Sequence, residues 1–113
     1  MVRDKSFAFA LGVVKLYRFL SEERREFVLG KQLLRSGAAI GALVREAEQA
    51  ESRADFVHKM SIALKEANEI QYWVELLHQA DYIDGPGFAS IQADNTELLK
   101  LLTAIIKTTK ARA

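Results

Sequence analysis

Seven apolar residues, Phe56, Met60, Ala63, Ala67, Ile70, Val74 and Leu77, follow one another at alternating steps of four and three. This spacing keeps every one of them on a single stripe of an α-helix, whereas a strand needs an apolar residue at every second position. Ser52 ahead of the run is a natural N-cap, and Asp55 three places on completes a capping-box pattern beside the positive end of the helix dipole. No Gly or Pro intervenes before Gly85. The pattern therefore predicts one helix over residues 53–83, roughly 40 Å or more long at ~1.5 Å per residue. One helix cannot bury such a seam alone, so the rest of the chain must supply what packs against it.

Three further stripes answer that need. A first helix is expected over residues 5–20, capped by Asp4, with Phe9, Val13, Leu16 and Leu20 on one stripe and Phe7, Leu11 and Val14 on an adjoining one. The segment from Ser21 to Glu26 holds no apolar residue and reads as the turn between two helices that fold back on each other, with Arg24 and Arg25 at the corner. A second helix over residues 26–50 carries Leu33, Gly37, Ile40, Val44 and Ala47 as its seam. Its glycines, Gly30, Gly37 and Gly41, lower helix propensity by roughly 1 kcal/mol each against alanine, and close approach of a neighbouring backbone is the physical reason to keep them. After the third helix, Asp84-Gly85-Pro86-Gly87 is the strongest breaker in the chain. A fourth helix over residues 87–109 then presents Phe88, Ile91, Asn95, Leu98, Leu102 and Ile105, widened by Leu99, Leu101 and Ile106. A fresh start at Asp94, with Glu97 three later, competes with continuity, but the seam keeps its phase through Asn95 and favours one helix. The basic tail from Lys107 to Ala113 reads as frayed. Four helices with short links define an all-α, antiparallel up-down-up-down four-helix bundle, and 113 residues suffice for one such domain spanning 1–113.

Composition narrows the chemistry. Half the residues are hydrophobic, which excludes disorder, and the absence of cysteine excludes disulfides, thiolate nucleophiles and Cys-ligated zinc. The N-terminal apolar run is interrupted by Lys15 and Arg18, too soon for a signal peptide or a membrane span, so no membrane partner and a bacterial-type cytoplasmic location are expected. The net charge of +1 conceals blocks of +4 over residues 1–37, −7 over 38–97 and +4 over 98–113. Such segregation bears on partners rather than on fold.

Few residues suggest a reaction. Glu75 and His78 have the Glu-x-x-His spacing of di-iron bundles, yet no second such motif lies on another helix; Asp55 and His58 share the spacing but sit on the same helix, about 30 Å away by its rise. No nucleophile stands in a recognisable arrangement with a histidine and no glycine-rich phosphate loop is present, so no catalytic residue, metal ligand or cofactor is assigned. Lys15 and Arg18 on the first helix and Lys31 and Arg35 on the second are the candidate nucleic-acid contacts. Tyr72, Trp73 and Leu76 fall outside the third helix's seam and are the candidate subunit interface, with Trp73 as its anchor.

Several linked motifs carry a family resemblance: Lys31-Gln32-Leu33-Leu34-Arg35-Ser36, Arg45-Glu46-Ala47, Ala54-Asp55-Phe56, the run from Ile62 to Ala67, and Tyr72-Trp73-Val74-Glu75-Leu76-Leu77. In that order they resemble the bacterial four-helix-bundle proteins first noticed as reading frames in intervening sequences of the large ribosomal RNA. The resemblance spans about Ser6 to Ile106. It implies a four-helix bundle that assembles as a ring-shaped homopentamer, and the same family includes the accessory protein of diversity-generating retroelements, a basic pentamer that binds nucleic acid and the reverse transcriptase. This chain differs in having Ala39 and Leu43 where the family usually has a serine and an asparagine, and in its near-neutral charge, which supplies less counterion release on binding phosphates.

The first reading is thus a non-enzymatic homo-oligomeric bundle, an accessory or scaffold protein in a nucleoprotein setting. The second is a nucleic-acid-binding accessory protein acting with a reverse transcriptase or ribosomal RNA, its partner being RNA or DNA. A metal-dependent enzyme built on Glu75 and His78 is the third.

Overall fold

A computed structural model of the chain describes residues 1–112 and contains four α-helices: α1 (Val2–Glu22), α2 (Val28–Glu48), α3 (Arg53–Gln79) and α4 (Gly85–Ala111). Each packs on its sequence neighbours, and α4 returns to α1, while the backbones of the two diagonal pairs stay apart. The result is the expected all-α, up-down-up-down bundle, a rod of 48 × 20 × 19 Å. The α1–α4 contact is the sparsest of the four. There an open cleft of about 160 Å³, lined by Lys5, Ala8, Phe9, Asp94, Glu97 and Leu98, is bridged by the Lys5–Glu97 ion pair.

The seams face inward. Met60, Ala63, Ala67, Ile70, Val74 and Leu77 of α3 are all buried, with Phe56 half-buried at the open end. They meet Phe9, Val13 and Leu20 of α1, Leu33, Ile40, Val44 and Ala47 of α2, and Ile91, Leu98 and Leu102 of α4. One stripe differs from expectation at its end: Ile106 is buried and Ile105 only half-buried, because two successive steps of four after Leu98 carry the inward face to Ile106. Leu16 likewise stays half-buried. Asn95 is the polar member of the α4 seam, its amide donating to the Ala67 carbonyl at 3.0 Å across the α3–α4 seam while its side-chain oxygen has no partner among the described residues. Small Ala67 makes room for that amide. A single polar bond in an apolar seam favours one register over its neighbours.

The ends depart further from the sequence pattern. α1 begins at Val2, so Asp4 lies within its first turn beside the positive dipole and caps nothing. It continues to Glu22, and the chain reverses at Arg25, whose backbone is left-handed at φ 53°. Glu26 precedes α2 instead of opening it: its Oε1 accepts from the amides of Val28 (3.1 Å) and Leu29 (2.9 Å), and its Oε2 from Gly30 (2.9 Å). A carboxylate thereby satisfies three of the free donors of that helix end. α2 closes at Glu48, short of Ala50. Ser52 caps α3 through the Asp55 amide at 3.0 Å, and the Asp55 carboxylate accepts from Glu51, one residue ahead of the usual reciprocal donor.

α3 stops at Gln79 and not at residue 83. Asp81 takes the left-handed conformation at φ 66°, and the amides of Asp81 and Tyr82 return to the carbonyls of His78 and Leu77 in the Schellman pattern, with aspartate where glycine is usual. Ile83 is then buried in the link. The Asp84-Gly85-Pro86-Gly87 breaker forms the first turn of α4: Asp84 accepts from the Gly87 amide at 2.7 Å, and Pro86 sits where a helix needs no donor. α4 runs unbroken through Asp94 to Ala111, so the basic tail is helical that far; Ala113 lies outside the described residues. Arg24 ties the two links at this end together, donating to the carbonyls of Asp81 (2.9 Å) and Tyr82 (3.2 Å) with its guanidinium 5.2 Å from the Tyr82 ring centre.

The small residues of α2 serve α1. A Cβ on Gly37 would stand 2.8–3.0 Å from three atoms of Val13, a stiff β-branched side chain with no room to move, whereas one on Gly41 would meet the Ser6 carbonyl oxygen at an ordinary 3.6 Å. Gly37→Ala should therefore destabilise the fold by ~1–3 kcal/mol in chemical denaturation through overpacking, while Gly41→Ala should be neutral or stabilise it by up to ~1 kcal/mol through helix propensity. Equal effects at the two positions would refute the close-packing account. Glu26→Ala should lower stability by roughly 1–3 kcal/mol, since three amides lose a charged acceptor; an unchanged denaturation midpoint would refute the capping role.

Candidate functional site

The four candidate nucleic-acid contacts do not form one surface. Lys15 and Arg18 project outward from α1, and Lys31 is exposed on α2. Arg35 instead leans across to α3, where its Nη1 donates to Glu66 at 3.2 Å and its Nη2 to Glu69 at 3.1 Å and to the Ser36 hydroxyl at 3.3 Å. Ser36 is fully buried beside the same carboxylates. Arg35 thus pins α2 to α3, and its charge is already matched.

The two carboxyls of this cluster are unequal. Burial, and next the hydrogen bond with Glu69, hold Glu66 above the ordinary carboxylate value of 4.5. Hydrogen bonds from Glu66 and from Arg35 hold Glu69 below it. Glu66 is the better proton carrier because only 13% of its side chain meets solvent, against 40% for Glu69.

The candidate interface residues begin one helical turn beyond Glu69 of that cluster. Tyr72 is 59% exposed, while Trp73 and Leu76 are half-buried, with Trp73 packed against the core and edge-on to Tyr72 at 5.0 Å between ring centres. Tyr72, Glu75, Leu76 and Gln79 line a shallow depression there. Because Arg35 meets Glu66 and Glu69 in an antiparallel pair, two turns back along α2 bring Val28, 72% exposed, to the level of Trp73 and Leu76.

A larger uncovered apolar surface belongs to α1. Phe7, Leu11 and Val14, one apart from the next by four and three, are all exposed, and Arg18 extends their line. Arg45 of α2 covers part of it, its guanidinium 5.2 Å from the Phe7 ring centre. Phe19 and Phe27 are also exposed, a feature that sequence periodicity missed because both sit at helix ends with too few turns to define a phase. The contiguous Phe27-Val28-Leu29 was the available signal.

The Glu75–His78 pair does not converge. Glu75 stands among the residues around Tyr72, whereas His78 turns toward α4 and stacks on Phe88 at 4.3 Å and 11°. Among the described residues no group of three His, Asp or Glu side chains is placed to hold a metal ion. No helix there is long and apolar enough to cross a membrane.

The acidic pair sets a pH dependence. The contribution of Glu66, with its raised folded value, is fully present below 4.5 and is lost as pH rises through that higher value; that of Glu69, with its lowered value, is present above 4.5 and lost as pH falls through the lower one. Glu66→Gln keeps a donor to Glu69 and removes the ionisation. Its melting temperature relative to the parent should therefore climb between pH 4.5 and neutrality, and a difference that stays flat across that window would contradict the assignment.

Comparison with known proteins places this geometry. No curated protein matches the chain. The pattern of the 23S rRNA-intervening sequence proteins matches residues 1–104. Among solved structures, a protein of unknown function from the S23 ribosomal protein family, from Bacteroides thetaiotaomicron, is 58% identical, with 95% of this chain and 99% of that one covered at a TM-score of 0.94. With the same bundle and a match over nearly its whole length, the chain belongs to the 23S rRNA-intervening sequence protein family.

Proposed function

We propose that this protein is a non-enzymatic, cytoplasmic, homo-oligomeric bundle that serves as an accessory or scaffold in a nucleoprotein setting. The observation that carries the reading is the exposed stripe of Phe7, Leu11 and Val14, to which Phe27, Val28 and Tyr72 add at other places on the surface. A bundle helix needs only an inward stripe, and contiguous apolar patches beyond a few hundred Å² are rare on soluble monomers. Burial between identical subunits removes that surface from water, and five is the number the family resemblance suggests. The family's association with ribosomal RNA intervening sequences supports the nucleoprotein setting. The divergence of Glu75 and His78 supports a role without chemistry.

Nucleic-acid binding is the second reading, favoured by Lys15, Arg18 and Lys31, which are exposed and make no ion pair among the described residues. Repeated around an assembly, three cations per subunit give a salt-dependent affinity even at a net charge of +1. An RNA affinity that falls steeply with added salt, and falls further in Lys31→Glu, favours this reading.

Light scattering at micromolar concentration tests the assembly. The parent should have the mass of a closed oligomer, and Leu11→Asp, on the exposed stripe and away from the core, should shift it to the monomer with its helicity retained. Tyr72 is a cleaner probe than Trp73, whose truncation would also disturb the core. A monomeric parent would refute the proposal.

A further inference from the structure

Charge divides the surface of this bundle more sharply than the net value conveys. Between Asp4 and Glu22 there is no carboxylate, and α1 there carries Lys5, Lys15 and Arg18. Between Lys65 and Lys100 there is no Lys or Arg, and that stretch, from the second half of α3 through the link to the first half of α4, carries seven acids. Glu66 and Glu69 are paired with Arg35 and Glu97 with Lys5, leaving Glu75, Asp81, Asp84 and Asp94 without an ion pair among the described residues. Each half also holds apolar surface: the exposed Phe7, Leu11 and Val14 beside Lys15 and Arg18 on α1, and the exposed Tyr72 with half-buried Leu76 beside Glu75 on α3. α1 and α3 are diagonal in the bundle: their backbones stay apart and only their inward side chains share the core.

We infer that the two patches are partners of each other in different copies of this chain: the basic-rimmed α1 face of one subunit seats on the acid-rimmed α3 face of the next. This inference rests on the assembly reading above and specifies its interface. Like faces would oppose cation to cation or carboxylate to carboxylate, whereas unlike faces bring opposite charges together around an apolar centre. Such a contact is heterologous, and it leaves an open array with one free face of each kind, one at either end, until the ring closes. Closure has a structural basis here. Both patches lean toward α2, since Phe7 lies beneath Arg45 of α2 and Glu69, one turn from Tyr72 and two from Leu76, is bonded to Arg35 of α2. Two faces inclined to the same side meet their neighbours at less than a straight angle, which curves the array into a ring with α2 on its inner side.

Mixing two broken variants tests this directly. Leu11→Asp spoils the α1 face and leaves the α3 face intact, and Tyr72→Asp does the reverse. Each alone should be a folded monomer by circular dichroism and light scattering. Combined in equal amounts they have one intact face of each kind to share, so the mass should double to that of a one-to-one dimer and go no further. If Leu11→Asp melts, Leu11→Gln on the same stripe takes its place. A mixture that stays monomeric while the parent is oligomeric would overturn the pairing and leave the assembly reading intact. A variant that still forms the full oligomer would exclude its face. A monomeric parent would remove both readings together.

Discussion

Val13 resting on the bare Cα of Gly37 is the contact from which most of this structure follows. A side chain on residue 37 would overlap three atoms of Val13, so the glycine lets α1 and α2 approach closely and, at the same time, fixes the rotation of α1 about its own axis. With that rotation set, Phe9, Val13 and Leu20 enter the core. Phe7, Leu11 and Val14 are necessarily turned outward, because a helix presents residues three and four apart on one face and cannot bury both stripes against two neighbours. The uncovered apolar surface is therefore a geometric consequence of good packing inside.

The bundle is closed at its ends by polar groups. Glu26 caps α2, Ser52 caps α3 and Asp84 caps α4. Arg24 joins the two links at one end, and Arg53 reaches the Arg112 carbonyl at the other. The Arg35–Glu66–Glu69–Ser36 cluster does the same work midway along the α2–α3 seam. By engaging Arg35 it leaves Lys15, Arg18, Lys31 and Arg45 as the cations of the first two helices without an ion pair among the described residues, Arg45 lying over Phe7 of the exposed stripe. α4 is held less firmly to α1 than to α3, and Asn95 fixes its register through one bond to Ala67.

The fold was legible because each seam is long enough to define a phase: six buried residues of α3 alone settle helix, face and partner count. The ends were not, for local reasons. Asp81 adopts a conformation that sequence patterns reserve for glycine, so α3 looked four residues longer than it is, and Gly85-Pro86-Gly87 looked like a break although proline fits the first turn of a helix. Of the candidate site, the second stripe on α1 was visible as periodicity, but the sequence could not tell which of two adjoining stripes the core would take, since that depends on Gly37 meeting Val13. Arg35 looked free because its partners are about thirty residues away on another helix, and Trp73 looked like surface because its contact with the core comes from the flank of α3 and not from the seam.

The chain has no cysteine, so a single one placed on the exposed stripe reports on that surface alone. In Leu11→Cys, the rate of reaction with a small maleimide, followed as the protein is diluted from the assembled to the dissociated regime, measures whether the α1 face is covered by another copy. Strong protection at high concentration that disappears on dilution is the predicted result. A thiol that reacts at the rate of an unhindered cysteine at every concentration would contradict the account.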